Sequence, residues 1–119
     1  MAYVDGFLIP IKKKNLPAYR KMAIKASKIW KEYGALEYCE CLGDDLNIPP
    51  TMSLLKSAKC KPDETVVFSW IVYKSKKHRD SVNKKIMTDP RIAAMMDPKD
   101  PPFDCKRMGY GGFKPMVSY

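Results

Sequence analysis

At 119 residues, 45% of them hydrophobic, the chain is long enough to bury one core, and its net charge of +9 marks it as strongly basic. It holds no run of about 18 apolar residues, which excludes a helical membrane span. The N-terminal MAYVDGFLIP lacks a basic leader before an apolar block, so the four cysteines, Cys39, Cys41, Cys60 and Cys105, are expected as reduced thiols in the cytoplasm. The 22 basic against 13 acidic residues bring an anionic partner into consideration. Most of the excess, however, is lysine on the presumed outer faces of two helices, where it serves solubility.

The first expected strand is YVDGFLI at 3–9, with Tyr3, Asp5, Phe7 and Ile9 on one face. After KKKN, Asn15 is placed to cap a helix and Pro17 sits in its first turn. Apolar residues then recur three and four apart at Tyr19, Met22, Ala23, Ala26, Ile29, Trp30 and Tyr33, opposite Lys21, Lys25, Lys28 and Lys31. Gly34 ends that helix. A second strand is expected at 36–42, followed by the surface loop GDDLNIPPT and a short strand within 53–60. The apolar strand TVVFSWIVY spans 65–73. Ser75 caps a second helix over 76–88, whose inner positions are His78, Val82, Ile86 and Met87. Asp89-Pro90 breaks it and restarts a short helix, RIAAMM. An extended DPKDPPFDC then leads to a last strand over 106–113, KRMGYGGF.

The order βαββαβ predicts an α+β, ferredoxin-like domain over 1–119, with an antiparallel sheet and both helices on one face. The strand at 65–73 is nearly apolar on both sides: Val66, Phe68, Trp70 and Val72 on one, Val67 and Ile71 on the other. Helices on one face leave the other bare, and a bare apolar face is rare on a soluble monomer. A homodimer is therefore expected, packed sheet against sheet with a barrel-like interior.

YVDGF at 3–7, VVFSW at 66–70 and FDCKRMGYGGF at 103–113, with ASKIWKEYGALEYCEC and the TDPR break between them, together resemble the YbaA-like family of uncharacterised bacterial proteins. The resemblance runs over essentially the whole chain and implies the dimeric α/β-barrel class. It brings no catalytic residues to carry over. Some members bear a label that links them to signal-recognition-particle RNA. The chain departs from the pattern at Pro102 and Cys105.

The remaining constellations are weighed by their chemistry. Cys39-x-Cys41 alternates to one strand face, but its spacing does not suit structural zinc, and inert buried thiols are expected. His78 is the only histidine, so a histidine pair cannot hold a metal within one chain. Flanked by Lys76, Lys77 and Arg79, it reads as a partly exposed surface residue rather than a haem ligand or general base. GYGGF has no following Lys-Ser/Thr and no helix, so it is not a phosphate loop. Its glycines suit close backbone approach. KRMGYGGF echoes an RNA-recognition signature, yet on the wrong strand, so nucleic acid is not the expected partner.

Asp5 and Glu40 are carboxylates in apolar settings, to be desolvated unless a cation or donor answers them. Arg107 and Tyr110 on the last strand are expected to answer Asp5. The plain reading is a buried ion pair that fixes register. The functional reading is a small ligand-binding cleft of Asp5, Arg107 and Tyr110 walled by Phe68 and Trp70. No metal and no cofactor is expected, and catalytic residues are not identified. The leading expectation is a cytosolic homodimer that binds a small organic ligand between sheet and helices. The alternatives are a cofactor-independent monooxygenase-like enzyme, argued from fold analogy alone, and an RNA-associated protein using its basic helical faces.

Overall fold

The structure, a computed structural model, describes residues 2–95 and 99–119. Strand β1 (Tyr3–Lys12) is followed by a single 3-10 turn and helix α1 (Leu16–Glu32). Next come β2 (Glu37–Leu42), the short α2 (Leu54–Ser57) and β3 (Glu64–Tyr73). Helices α3 (Lys76–Met87) and α4 (Pro90–Met95) precede β4 (Gly109–Phe113). The four strands form one antiparallel sheet in the order β2-β3-β1-β4, the ferredoxin-like arrangement.

Strand register decides which side chains meet. Tyr3 pairs with Tyr73, Asp5 with Ile71, Phe7 with Ser69 and Ile9 with Val67, and this face receives the helices. One core cluster joins Ile9, Ile11 and Val67 to Tyr19 and Ala23 of α1. A second joins Ile71 and Tyr73 to Ile29 of α1 and to Val82 and Ile86 of α3. The α1 stripe is thus buried as its spacing predicts, and Gly34, at φ 107°, turns the chain out of the helix where a side chain would be strained. Pro10 is tolerated inside β1 because β4 pairs only with Val4 to Leu8, so no partner waits for the missing N–H.

The opposite face carries Val4, Leu8, Val72, Phe68, Trp70 and Phe113. Phe68 is 49% exposed, Phe113 58%, and among the described residues no element covers them. Cys39 and Cys41 lie on this face opposite Trp70 and Phe68, half-buried rather than buried, with their Sγ atoms 3.7 Å apart.

Several expectations need correction. Residues 53–60 hold helix α2, not a strand, because the Ser53 Oγ accepts from the Leu55 N–H at 3.2 Å and starts a helical turn. Asn15 stands at the start of α1 without a side-chain cap; its Nδ2 donates instead to the Pro102 carbonyl at 3.3 Å. The last strand begins at Gly109 rather than 106, since the Asp104 carboxylate accepts from the Lys106 N–H at 3.0 Å and folds the preceding residues into a turn. The rest of the expected extended segment is turns and bends, apart from 97–98, which lie outside the described residues. Among the described residues no helix is long and apolar enough to cross a membrane.

Candidate functional site

Between the helix-covered face and α1 lies a cavity of about 190 Å³, whose lining includes the rings of Phe7, Tyr19, Trp30, Tyr38 and Phe103. Trp30 and Tyr38 stand 5.9 Å apart between ring centres, and Tyr19 meets Phe103 edge-on at 5.7 Å. Met22, Met95 and Met108 add flexible apolar surface. Glu40 is the one lining residue with a formal charge among those described.

Strand alternation puts Tyr38 and Glu40, two apart on β2, on the same face, and α1 brings Tyr19 to meet them. The Tyr19 hydroxyl donates to Glu40 Oε1 at 2.6 Å and the Tyr38 hydroxyl to Oε2 at 2.7 Å. Burial, reinforced by the hydrogen bond to Glu40 and its charge, pushes the Tyr19 phenol well above its ordinary value. Burial and then the Glu40 charge do the same to Tyr38. Both phenols therefore remain donors. A carboxylate has about four lone-pair sites, so one bond on each oxygen leaves Glu40 able to accept another donor from the cavity. A neighbouring cleft of about 450 Å³, lined in part by Arg20, shares these three residues. Glu40 nevertheless forms no ion pair among the described residues.

Asp5 is answered differently. Its carboxylate, 1% exposed, accepts from Arg79 Nη1 at 2.8 Å and from the Tyr110 hydroxyl at 3.1 Å. Arg79 also donates to the Tyr110 oxygen at 2.7 Å and lies 4.9 Å over the Tyr3 ring. Tyr110 in turn stacks on Phe7. A side chain at Gly112, opposite Asp5, would collide with Tyr3, so the glycine permits the close approach that this cluster needs. Burial nonetheless outweighs Arg79 and keeps the Asp5 carboxyl above its ordinary value.

The expected ligand set is therefore brought together only in part. Tyr110 meets Asp5, but Arg107 does not; it grips Glu64 with both terminal nitrogens. That grip, aided by the Lys61 N–H at 2.8 Å, holds the Glu64 carboxyl down to about 2. Phe68 and Trp70 do not wall an Asp5 cleft, because their register turns their side chains to the opposite, open face, although Trp70 also borders the cavity under α1. Arg79 was hidden between charged neighbours. Its signal is the spacing Arg79, Val82, Ile86, which aligns it with the buried stripe of α3. Tyr19 read as core, and only its meeting with the Tyr38–Glu40 pair reveals its polar task. His78 is half-buried, and its Nδ1 accepts from the Lys74 N–H at 3.0 Å. Among the described residues no group of three or more His, Cys, Asp or Glu could hold a metal ion.

A NIPSNAP domain protein from Burkholderia xenovorans, itself uncharacterised, superposes with a TM-score of 0.57 at 16% identity, covering 97% of this chain and 95% of its own; the likeness shows the fold alone. A protein from an uncultured marine organism, described as dimeric and ferredoxin-like, covers 95% of this chain and 92% of its own at 10% identity. Its TM-score of 0.47 is too low to bear on assembly here. Uncharacterized protein YbaA of Escherichia coli K12 is 43% identical over 117 residues, which cover 98% of each chain. Residues 2–105 match the family model described as protein of unknown function, DUF1428. The chain belongs to the DUF1428 family of proteins of unknown function and is related over its length to the uncharacterised YbaA.

Proposed function

We propose that the chain is a cytoplasmic homodimer of single ferredoxin-like domains, each binding a small organic molecule between sheet and helices. The observation that carries the ligand reading is the cavity of about 190 Å³ with apolar walls and one carboxylate. Concave, mostly apolar sites with few polar groups are the usual form of small-molecule pockets. Glu40, with Tyr19 and Tyr38, takes the polar role first expected of Asp5, Arg107 and Tyr110. Phe68 and Trp70 are assigned to pairing. Support for pairing comes from the uncovered apolar face, which a second copy would seal into a dimeric α/β barrel. The exposed free thiol of Cys105 suits a reducing cytoplasm. No arrangement of the described side chains favours the monooxygenase-like or the RNA reading over this one.

The ligand reading is tested by thermal unfolding with a panel of small organic molecules, since a ligand that binds only the folded state raises Tm. A rise that disappears in Ala26→Leu, which fills the cavity from α1, supports it. A flat panel, or a rise untouched by that variant, removes it. For pairing, sedimentation velocity should show two chains together, and Phe68→Asp should release monomers by placing a charge at the centre of the contact. A monomeric parent protein ends the pairing claim.

A further inference from the structure

We infer that the cavity selects a small organic cation, a protonated primary amine on an aromatic or apolar body, with its ammonium group meeting Glu40. The inference rests on the ligand-binding reading above and names the chemical class for that same cavity.

The charge balance of the molecule points this way. Each buried carboxylate among the described residues has an arginine: Asp5 has Arg79, Glu64 has Arg107 and Asp89 has Arg91. Glu40, half-buried at the wall of an apolar cavity, has two phenols and, among the described residues, no ion pair. Two neutral donors orient the half-buried Glu40 carboxylate but do not cancel its charge, and a partly desolvated charge gains from an opposite one. An ammonium group supplies that charge together with donors for the lone pairs Tyr19 and Tyr38 leave unused. The rings of Trp30, Tyr38, Tyr19 and Phe103 fit the same guest, because aromatic faces attract cations as well as apolar groups. Arg20 borders the neighbouring cleft, which Glu40 also lines, and among the described residues no cation lines the cavity itself. An anionic guest would face the Glu40 charge and be repelled. Size narrows the class further. A cavity of about 150 Å³ holds benzene, so about 190 Å³ suits a body of roughly eight to ten non-hydrogen atoms.

The test is calorimetric titration of the full chain at neutral pH with four probes of one shape: 2-phenylethylamine, 2-phenylethanol, phenylacetate and ethylbenzene. The expected result is that the amine binds about tenfold or more tightly than the alcohol, as a charge-assisted hydrogen bond implies, and that phenylacetate binds least. In Glu40→Gln, which keeps an acceptor for one phenol and removes the charge, the preference should fall to about twofold or less. Circular dichroism of the variant confirms that it is folded, and the probe series on the parent chain stands even if it is not. Equal binding of alcohol and amine, or an amine preference that survives in folded Glu40→Gln, overturns the cation assignment and leaves the ligand reading intact. Binding of none of the four probes overturns both.

Discussion

Asp5 and Glu40 stand on the same face of the same sheet, yet one is closed around an arginine and the other opens on a cavity. Asp5, 1% exposed, is buried against Arg79 and Tyr110, one donor on each oxygen, and Arg79 is itself seated over the Tyr3 ring. Glu40 is held only by Tyr19 and Tyr38, and the space beside it is empty of protein atoms. The difference separates a carboxylate that ties β1, β4 and α3 together from one that is held in position with capacity to spare. The first finds its partners within the protein. The second is the one for which a guest is proposed.

The largest expected effect breaks the locked side. Arg79→Met strands the Asp5 charge beneath the helices, and removing one partner of a buried pair costs about 3–5 kcal/mol. Urea unfolding should show this as a lower midpoint at unchanged slope. A loss below about 1 kcal/mol would mean that the pair behaves as a surface contact. Asp5→Asn should cost about half as much, or ~2 kcal/mol, because Arg79 retains Asp80, with which it already pairs at 2.8 Å.

Acid titration sharpens the contrast between well-paired and poorly compensated carboxylates. The unfolded chain binds a proton at Glu64 near 4.5, whereas the folded chain holds off until about 2. The stability gained from Arg107 is therefore complete above pH 4.5 and drains away as the pH falls toward 2. Asp5, raised by burial, works in the opposite sense: the folded chain takes up the proton first, so acid relieves a cost. Unfolding midpoints followed from neutral pH down to 2 should fall less steeply below pH 4.5 in Glu64→Gln, and in Asp5→Asn should lack the gain that the parent takes as the pH falls toward 3.8. Parallel curves for all three would refute the assignment of these partners.

The smallest effect belongs to Glu40. Glu40→Gln removes a charge that forms no ion pair among the described residues and keeps an acceptor for a phenol, so stability should change by about 1 kcal/mol or less. A loss as large as that of Arg79→Met would place Glu40 among the structural carboxylates and close the comparison.

How far the sequence discloses this arrangement depends on whether a local signal carries it. The two-sided apolarity of Val66 to Val72 and the stripe from Tyr19 to Tyr33 announce a sheet with one helix-covered face, because side-chain periodicity is set by backbone geometry alone. Ser75 is equally legible, and its Oγ accepts from the His78 N–H as a cap should. The short stretch after Ser53 is not, since four residues are too few for either period to emerge. The choice of arginine for Asp5 is also out of reach of adjacency reasoning. Arg107 lies on the chain leading into β4, but the Asp104 turn swings it toward Glu64, and Asp5 is reached instead from α3 across the core. Glu40 is visible as a carboxylate among apolar residues, but the cavity beside it is a product of packing between α1 and the sheet. No spacing along the chain encodes an empty space.

Native mass spectrometry of freshly purified protein addresses the central claim most directly, because it weighs the assembly and anything held inside it in one measurement. The account predicts a species of twice 13.6 kDa that carries up to one small organic amine per chain, released on denaturation. A lone 13.6 kDa species with nothing bound would contradict both the sealed sheet and the occupied cavity.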